Sequence, residues 1–252
     1  MGGVGKTLSA AALCRDPDIG GAFEIICWVS VGQEPDLLQL QKSLHIQLTG
    51  ASLPDTADGP RLALEALVAV AKGKCVLCVL DDIWDAAHAP PLSFVDAAAG
   101  SALVITTRMR SLVPGAAEVQ CDVLSKPEAL ELLLTAGGVE HLLESPPAAA
   151  LEAVELCGRL PLALGIAGGI IAEMPTTWQE ELLELLGEEM GDTSVEERVV
   201  TASLRVVPPE MRAGVEALFE LFAIFAEDAV VPNEVIDVVA PLLHSAAGEK
   251  KR

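Results

Sequence analysis

Basic residues are scarce in this chain of 252 residues: 16 Lys and Arg stand against 37 Asp and Glu, a net charge of −21. That deficit excludes nonspecific attachment to DNA, RNA or anionic membrane, each of which needs a basic face. It also makes every clustered cation informative. A membrane-spanning run is missing too. The longest uncharged apolar stretch is the thirteen residues from Leu160 to Ala172, between Arg159 and Glu173. A bilayer needs ~20 such residues, so the stretch reads as a buried helix. No leader or transit segment is visible at the start and no repeat of fixed period occurs, so the cytoplasm is the expected compartment. Cysteines are few. Cys14, Cys27, Cys75, Cys78, Cys121 and Cys157 lie scattered in apolar runs and are expected to be reduced core residues. Cys75 and Cys78 have C-x-x-C spacing but fall on one predicted strand. Residues three apart on a strand face opposite sides, which makes the pair a poor metal site.

What is present begins at once. Met1-Gly2-Gly3-Val4-Gly5-Lys6-Thr7 ends in the back half of the pattern G-x-x-x-x-G-K-[ST]. Such glycines let successive backbone N–H groups curl around a phosphate, the lysine reaches the β- and γ-phosphates, and the hydroxyl ligates Mg²⁺. Leu8 to Leu13 reads as helix, so the phosphate would also face a helix N-terminus. The first glycine of the pattern falls one residue before Met1, and the strand that should feed the loop is absent. Met1 is accordingly expected to be an internal residue taken as a start.

Hydrophobic residues make up 51% of the chain, enough for real cores. Asp16 to Gly21 has turn chemistry. Glu24–Val31 (EIICWVSV) is an apolar run suited to a parallel strand covered on both faces. Asp36 caps a helical pattern of Leu37, Leu38, Leu40, Leu44 and Leu48. A polar loop over 49–60 precedes a helix from Arg61 to Ala71. The next strand, Cys75–Leu80, ends on Asp81-Asp82. A carboxylate at the carboxyl end of an apolar strand is what a Mg²⁺-nucleotide site in an open α/β sheet requires. Alone this is weak; after Gly5-Lys6-Thr7, some seventy-five residues earlier, it becomes strong. Ala102–Ile105 is a further strand running into Thr106-Thr107-Arg108, which aims Arg108 at the same crevice. Arg110 is a plausible decoy. Glu118–Val123 reads as a short last strand.

From Ser125, with Glu128 completing a capping box, strand signals give way to helices at Lys126–Ala136, Ala148–Cys157, Pro161–Ala172 and Trp178–Leu186. Pro161 sits at a tolerated first-turn position. Residues 187–194 form a linker. A third block follows: a helix through Ser203, a Pro208-Pro209 break, a helix over Glu210–Phe222, then Asp228–Pro232 and a helix around Asn233–Leu243. The domains are thus expected at 1–124, 125–190 and 191–252.

Together these stretches resemble the NB-ARC family of signal-transducing P-loop NTPases, to which plant disease-resistance proteins and apoptosome-type activators belong. The resemblance rests on MGGVGKT (1–7), FEIICWVSVGQEPDLLQLQKSLHIQL (23–48), KCVLCVLDDIW (74–84), GSALVITTRMR (100–110) and CGRLPLAL (157–164), with a weaker match at LFAIFAED (221–228). It implies an α/β fold: a P-loop NTPase parallel sheet without its first strand, then a helical domain and the opening of a winged helix. It implies ADP or ATP held by Gly2, Gly3, Val4, Gly5, Lys6, Thr7 and Leu8, with Pro161 against the adenine. Thr7 and Asp81 would hold Mg²⁺, Asp82 would orient the attacking water, and Arg108 would sense the γ-phosphate. Members rest with ADP, signal after exchange for ATP and reset by slow hydrolysis. Protein partners and oligomerisation on activation follow from the same resemblance.

The family's Met-His-Asp motif does not occur in these residues, and the stretch is expected to be the switch module without its input or output. Two other readings stay open: a different P-loop ATPase or small-molecule kinase, and a fragment that binds no nucleotide. The fragment reading expects two strands left with unpaired backbone groups where the feeding strand would run.

Overall fold

The computed structural model describes residues 2–187, 193–222 and 231–238. The chain divides into two compact units, Met1–Gln120 and Cys121–Arg252.

The first unit is an α/β sheet unit of the P-loop NTPase kind. Its strands β1 (Ile25–Gly32), β2 (Val76–Ile83) and β3 (Ala102–Thr107) lie parallel in the order β1-β2-β3. Cys27 pairs with Cys78, and Leu80 with Ile105. Unpaired backbone was expected where a feeding strand is lacking; instead β2 is laddered on both sides. The Ser101 hydroxyl extends that pairing, accepting from the Val76 N–H at 2.9 Å and donating to the Lys74 carbonyl at 2.8 Å.

Alternation along β2 builds two cores. Leu77 and Val79 face helix α1 (Lys6–Arg15), packing with Ala10, Cys14, Phe23 and Val104. Val76, Cys78 and Leu80 face the opposite side, with Leu44, Leu48 and Leu67 from helices α3 (Leu37–Thr49) and α4 (Pro60–Ala71). Period two with both faces covered explains why β2 reads as a continuous apolar run. Asp36 caps α3 by accepting from the Gln39 N–H at 3.1 Å. Gln41, fully buried in α3, donates its amide to the carbonyls of Pro60 at 2.9 Å and Pro91 at 2.7 Å. Gln47 reaches the edge strand: its Oε1 accepts from the Trp28 N–H at 2.8 Å, and its Nε2 donates to the Trp28 carbonyl at 2.9 Å.

Two local expectations change. The segment read as a turn after α1 is a short helix, α2 (Pro17–Ala22). Asp16 accepts from the N–H groups of Asp18 at 2.9 Å and Ile19 at 3.2 Å. Asp before Pro is therefore an N-cap with proline at the first helical position. The last strand expected over Glu118–Val123 is not formed; the segment pairs with no strand, and Val119 is 88% exposed. Without a neighbouring ladder its apolar residues gain little by extending.

The second unit is helical: α5 (Lys126–Ala136), α6 (Ala148–Leu156), α7 (Pro161–Glu173), α8 (Trp178–Gly187), α9 (Val195–Val206) and α10 (Pro209–Phe222). Glu128 accepts from the Ser125 N–H at 2.9 Å, completing the expected turn at the start of α5. Helix α7 carries the buried residues Ala163, Leu164, Ala167, Gly168, Ile170 and Ile171. It lies so close to α5 that a Cβ on Gly168 would stand 2.4 Å from the Ala136 Cβ. Residues 233–238 are helical. The expected boundary at 190/191, residues 223–230 and 239–252 lie outside the described residues, and with them 223–228 of the weaker family match at 221–228.

Candidate functional site

Helix α1 starts at Gly5, whose backbone is left-handed (φ 91°), as is that of Gly3 (φ 67°). Only glycine adopts such angles without strain, so the residue type follows from the turn. The Gly5 carbonyl accepts from the Ser9 N–H at 2.8 Å and begins the helix. The N–H groups of Thr7 and Leu8 belong to the first turn, where helix geometry supplies no partner. No acidic residue occupies that turn, so its positive end is left for an anion. Lys6 is half-buried; Thr7 and Leu8 are exposed, Leu8 by 66%. Val4 is buried, at 8%. The chain leaves α1 through α2 into the amino end of β1, and α1 packs on the sheet through Ala10 and Cys14 against Leu77, Val79 and Val104.

At that edge the β2–β3 ladder changes step. Leu80 pairs with Ile105 and Ile83 with Thr107. Asp81 and Asp82 together therefore oppose Thr106 alone, the two-against-one count of a bulge. The Thr106 hydroxyl serves both neighbours. It donates to Asp81 Oδ1 at 2.6 Å and accepts from the Asp82 N–H at 2.8 Å. Asp81 is 4% exposed and Thr106 8%. Asp82 takes a left-handed backbone (φ 55°), a conformation that short Asp side chains tolerate better than most.

Beyond the bulge, the Trp84 indole Nε1–H donates to Asp82 Oδ2 at 2.8 Å. The Arg108 guanidinium carbon lies 4.4 Å from the centre of the Trp84 ring. Next to it, the Thr107 hydroxyl donates to the Ile83 carbonyl at 2.7 Å and accepts from the Met109 N–H at 3.0 Å, which fixes the turn that carries Arg108. Asp81, Asp82 and Arg108 are thus gathered through Thr106 and Trp84. Arg110 is exposed.

Sequence reasoning gave Thr106 and Trp84 no role. The available signal was chemical: a hydroxyl and an indole N–H, both donors, beside a pair of carboxylates at a strand end.

Pro161 belongs to the second unit, where it is the first residue of α7. The entry to that helix is a tight reversal with Gly158 (φ 59°) and Arg159 (φ 55°) both left-handed. Leu124 and Arg159 lock it: the Leu124 N–H donates to the Arg159 carbonyl at 3.1 Å, and Arg159 Nη1 donates back to the Leu124 carbonyl at 3.4 Å.

The sequence matches the NB-ARC domain over residues 1–142, more than half of the chain. The chain belongs to the NB-ARC family. Members of this family are nucleotide-binding signalling modules. Relatives are spread widely. The NB-ARC chain is 27% identical to apoptotic protease-activating factor 1 of Danio rerio over 95% of its own length and 20% of that protein's. It is 27% identical to disease resistance RPP13-like protein 4 of Arabidopsis thaliana, over 99% of this chain and 30% of the relative. Regulatory protein AfsR of Streptomyces griseus is 31% identical over 75% of this chain and 19% of its own. The chain therefore spans less than a third of the length of these relatives.

By donor type, the residues of this NB-ARC chain are ones that a Mg²⁺-nucleotide can use. A Cβ on Gly5 would meet nothing within 4 Å, so the left-handed backbone, and not crowding, is what calls for glycine there. Mg²⁺ takes oxygen donors, usually one or two from protein with the rest from phosphates and water. The Thr7 hydroxyl and the Asp81 carboxylate are donors of that kind. No helix among the described residues is long and apolar enough to cross a membrane.

Proposed function

We propose that this chain is the ADP/ATP-binding switch module of a signal-transducing NTPase, with ADP bound at rest and ATP in the active form. The observation that carries the reading is the bulge at the end of β2. It supports the reading by bringing Asp81 and Asp82 together at the carboxyl end of β2, with Arg108 linked to Asp82 through Trp84.

In this reading the backbone N–H groups of Gly2, Gly3, Val4, Gly5 and Leu8 cradle the phosphates, and Lys6 neutralises their β- and γ-charge. Thr7 and Asp81 hold Mg²⁺, which shields phosphate charge when bound. Thr106 keeps the Asp81 carboxylate in one orientation. Asp82 orients a water, and Arg108 senses the γ-phosphate. Pro161 rests on the adenine, tying the helical domain (125–190) to the nucleotide domain (1–124), with residues 191–252 as a partial winged-helix domain. Because one ligand touches two domains, exchanging it shifts their arrangement by the difference in its affinity for each. Hydrolysis is slow, as a switch requires. Protein partners in the cytoplasm and oligomerisation in the ATP form complete the proposal.

Calorimetric titration of the full chain with ADP and Mg²⁺ tests it. Saturable binding is expected, and Lys6→Ala is expected to abolish it. A parent chain that binds nothing would favour the reading of a non-binding fragment. Unchanged binding in Lys6→Ala would remove the phosphate loop from the proposal.

A further inference from the structure

Trp84 is the one member of the Asp82 cluster that the proposed roles leave without work, and it makes two contacts with two different parts of its ring. The indole edge donates Nε1–H to Asp82 Oδ2 at 2.8 Å. The ring face carries the Arg108 guanidinium, 4.4 Å from the ring centre. The backbone of Asp82 is already held by Thr106, which accepts its N–H at 2.8 Å. What remains to be fixed is the direction of the carboxylate, and the indole edge fixes it. Arg108 is exposed to solvent, so the indole face is a perch with open access rather than a buried socket.

We propose that Trp84 is a positioning residue that serves both halves of the switch, aiming the Asp82 carboxylate with its edge and parking Arg108 on its face until a γ-phosphate draws the guanidinium away. This deepens the nucleotide-switch reading and rests on it. An exposed cation over an aromatic face is held weakly, whereas a guanidinium on a phosphate makes charge-assisted, paired hydrogen bonds. ATP therefore wins Arg108 from the ring. ADP offers no oxygen at that position and leaves the stack in place. The edge contact to Asp82 is geometrically independent of the face contact, so Asp82 stays aimed while Arg108 moves. The indole then experiences a different environment with each nucleotide.

The difference in fluorescence emission between the full chain and its Trp84→Phe variant isolates the Trp84 signal. It is followed during titration with Mg²⁺-ADP and with Mg²⁺ and a non-hydrolysable ATP analogue, while calorimetry measures binding independently. The analogue is expected to change Trp84 emission and ADP to leave it unchanged. Arg108→Ala is expected to respond to neither. In steady-state hydrolysis, Trp84→Phe keeps a ring face for Arg108 but loses the N–H, so kcat should fall on the order of tenfold with KM nearly constant, part of what an aligned base contributes. Trp84→Leu should also lose discrimination between ATP and ADP, and Trp84→Leu combined with Arg108→Ala should discriminate no worse than Arg108→Ala alone. Binding of both nucleotides without any change in Trp84 emission overturns the inference and leaves the switch reading standing, as do losses of discrimination that add in the double variant. Absence of nucleotide binding in calorimetry overturns the switch reading and the inference with it.

Discussion

Thr106 and Asp81 are joined across the two strands by a 2.6 Å hydrogen bond from hydroxyl to carboxylate, both residues being nearly inaccessible to solvent. The same oxygen accepts the Asp82 N–H. One side chain thus satisfies the two polar groups that the ladder's change of step leaves behind.

Replacing Thr106 by Val keeps the shape and removes the hydroxyl. The Asp81 carboxylate and the Asp82 N–H then lose their partner together, at a cost of ~1–3 kcal/mol. Urea denaturation of Thr106→Val should show a lower midpoint with the slope unchanged, and Thr106→Ser should recover most of it. Mg²⁺-dependent nucleotide affinity should fall in the same order.

Gly5→Ala tests the phosphate loop by conformation alone. Nothing lies within 4 Å of the position a Cβ would take, but φ is +91°, and a left-handed backbone costs a side-chain-bearing residue roughly 1–2 kcal/mol. The loop relaxes by turning its N–H groups away. ADP affinity measured by calorimetry should drop about tenfold, the equivalent of ~1.4 kcal/mol, with little change in the helical content seen by circular dichroism.

Gly168 tests the packing of α7 on α5. A Cβ there would stand 2.4 Å from the Ala136 Cβ and 3.0 Å from the Leu133 carbonyl oxygen. Gly168→Val should destabilise the chain by ~1–3 kcal/mol or more through overpacking. Gly169→Ala, with open space around it, should instead stabilise by up to ~1 kcal/mol through helix propensity. Opposite shifts in melting temperature from adjacent glycines are the expected signature.

Burial raises the Cys27 thiol to about 11 and the Cys157 thiol to about 12, from 9.0; Cys78 is raised as well, chiefly by burial. Above pH 9 the unfolded chain releases these protons while the folded chain keeps them. Stability should therefore be level in this respect below pH 9 and decline as pH rises toward 11, by up to ~1.4 kcal/mol per pH unit for each thiol. Urea midpoints measured from pH 7 to 10.5 check the slope, and Cys157→Ala should make it shallower.

The sheet strands were legible because β2 is buried on both faces, which makes its apolar run continuous, and β1 is buried on the face of Cys27, Val29 and Val31 and half-buried at Ile26 and Trp28 on the other. The helices of the second unit were legible for the complementary reason, a 3.6-residue period bounded by Ser125 and Pro161. Helix α2 was not, because Asp16-Pro17 and Gly20-Gly21 are turn residues in isolation, and only the N–H groups they cap distinguish the helix. The segment Glu118–Val123 has the composition of a strand, but composition cannot provide a neighbour to pair with. At the site, Asp81, Asp82 and Arg108 stood out by type and position. Thr106 and Trp84 did not, since their value comes from a register shift between strands more than twenty residues apart. The alternation along one strand carries no information about a step made against another.

Gln47 gives the first unit a property that no motif records. Its amide occupies both the donor and the acceptor of Trp28 on β1, which lies at the edge of the sheet. An exposed edge invites a further strand from another chain. Here a single glutamine from a covering helix imitates one link of that strand, so an incoming chain would have to evict it before docking. The barrier to sheet-to-sheet association on this side is thus written into the helix, and substituting Gln47 would surrender it without touching the sheet itself.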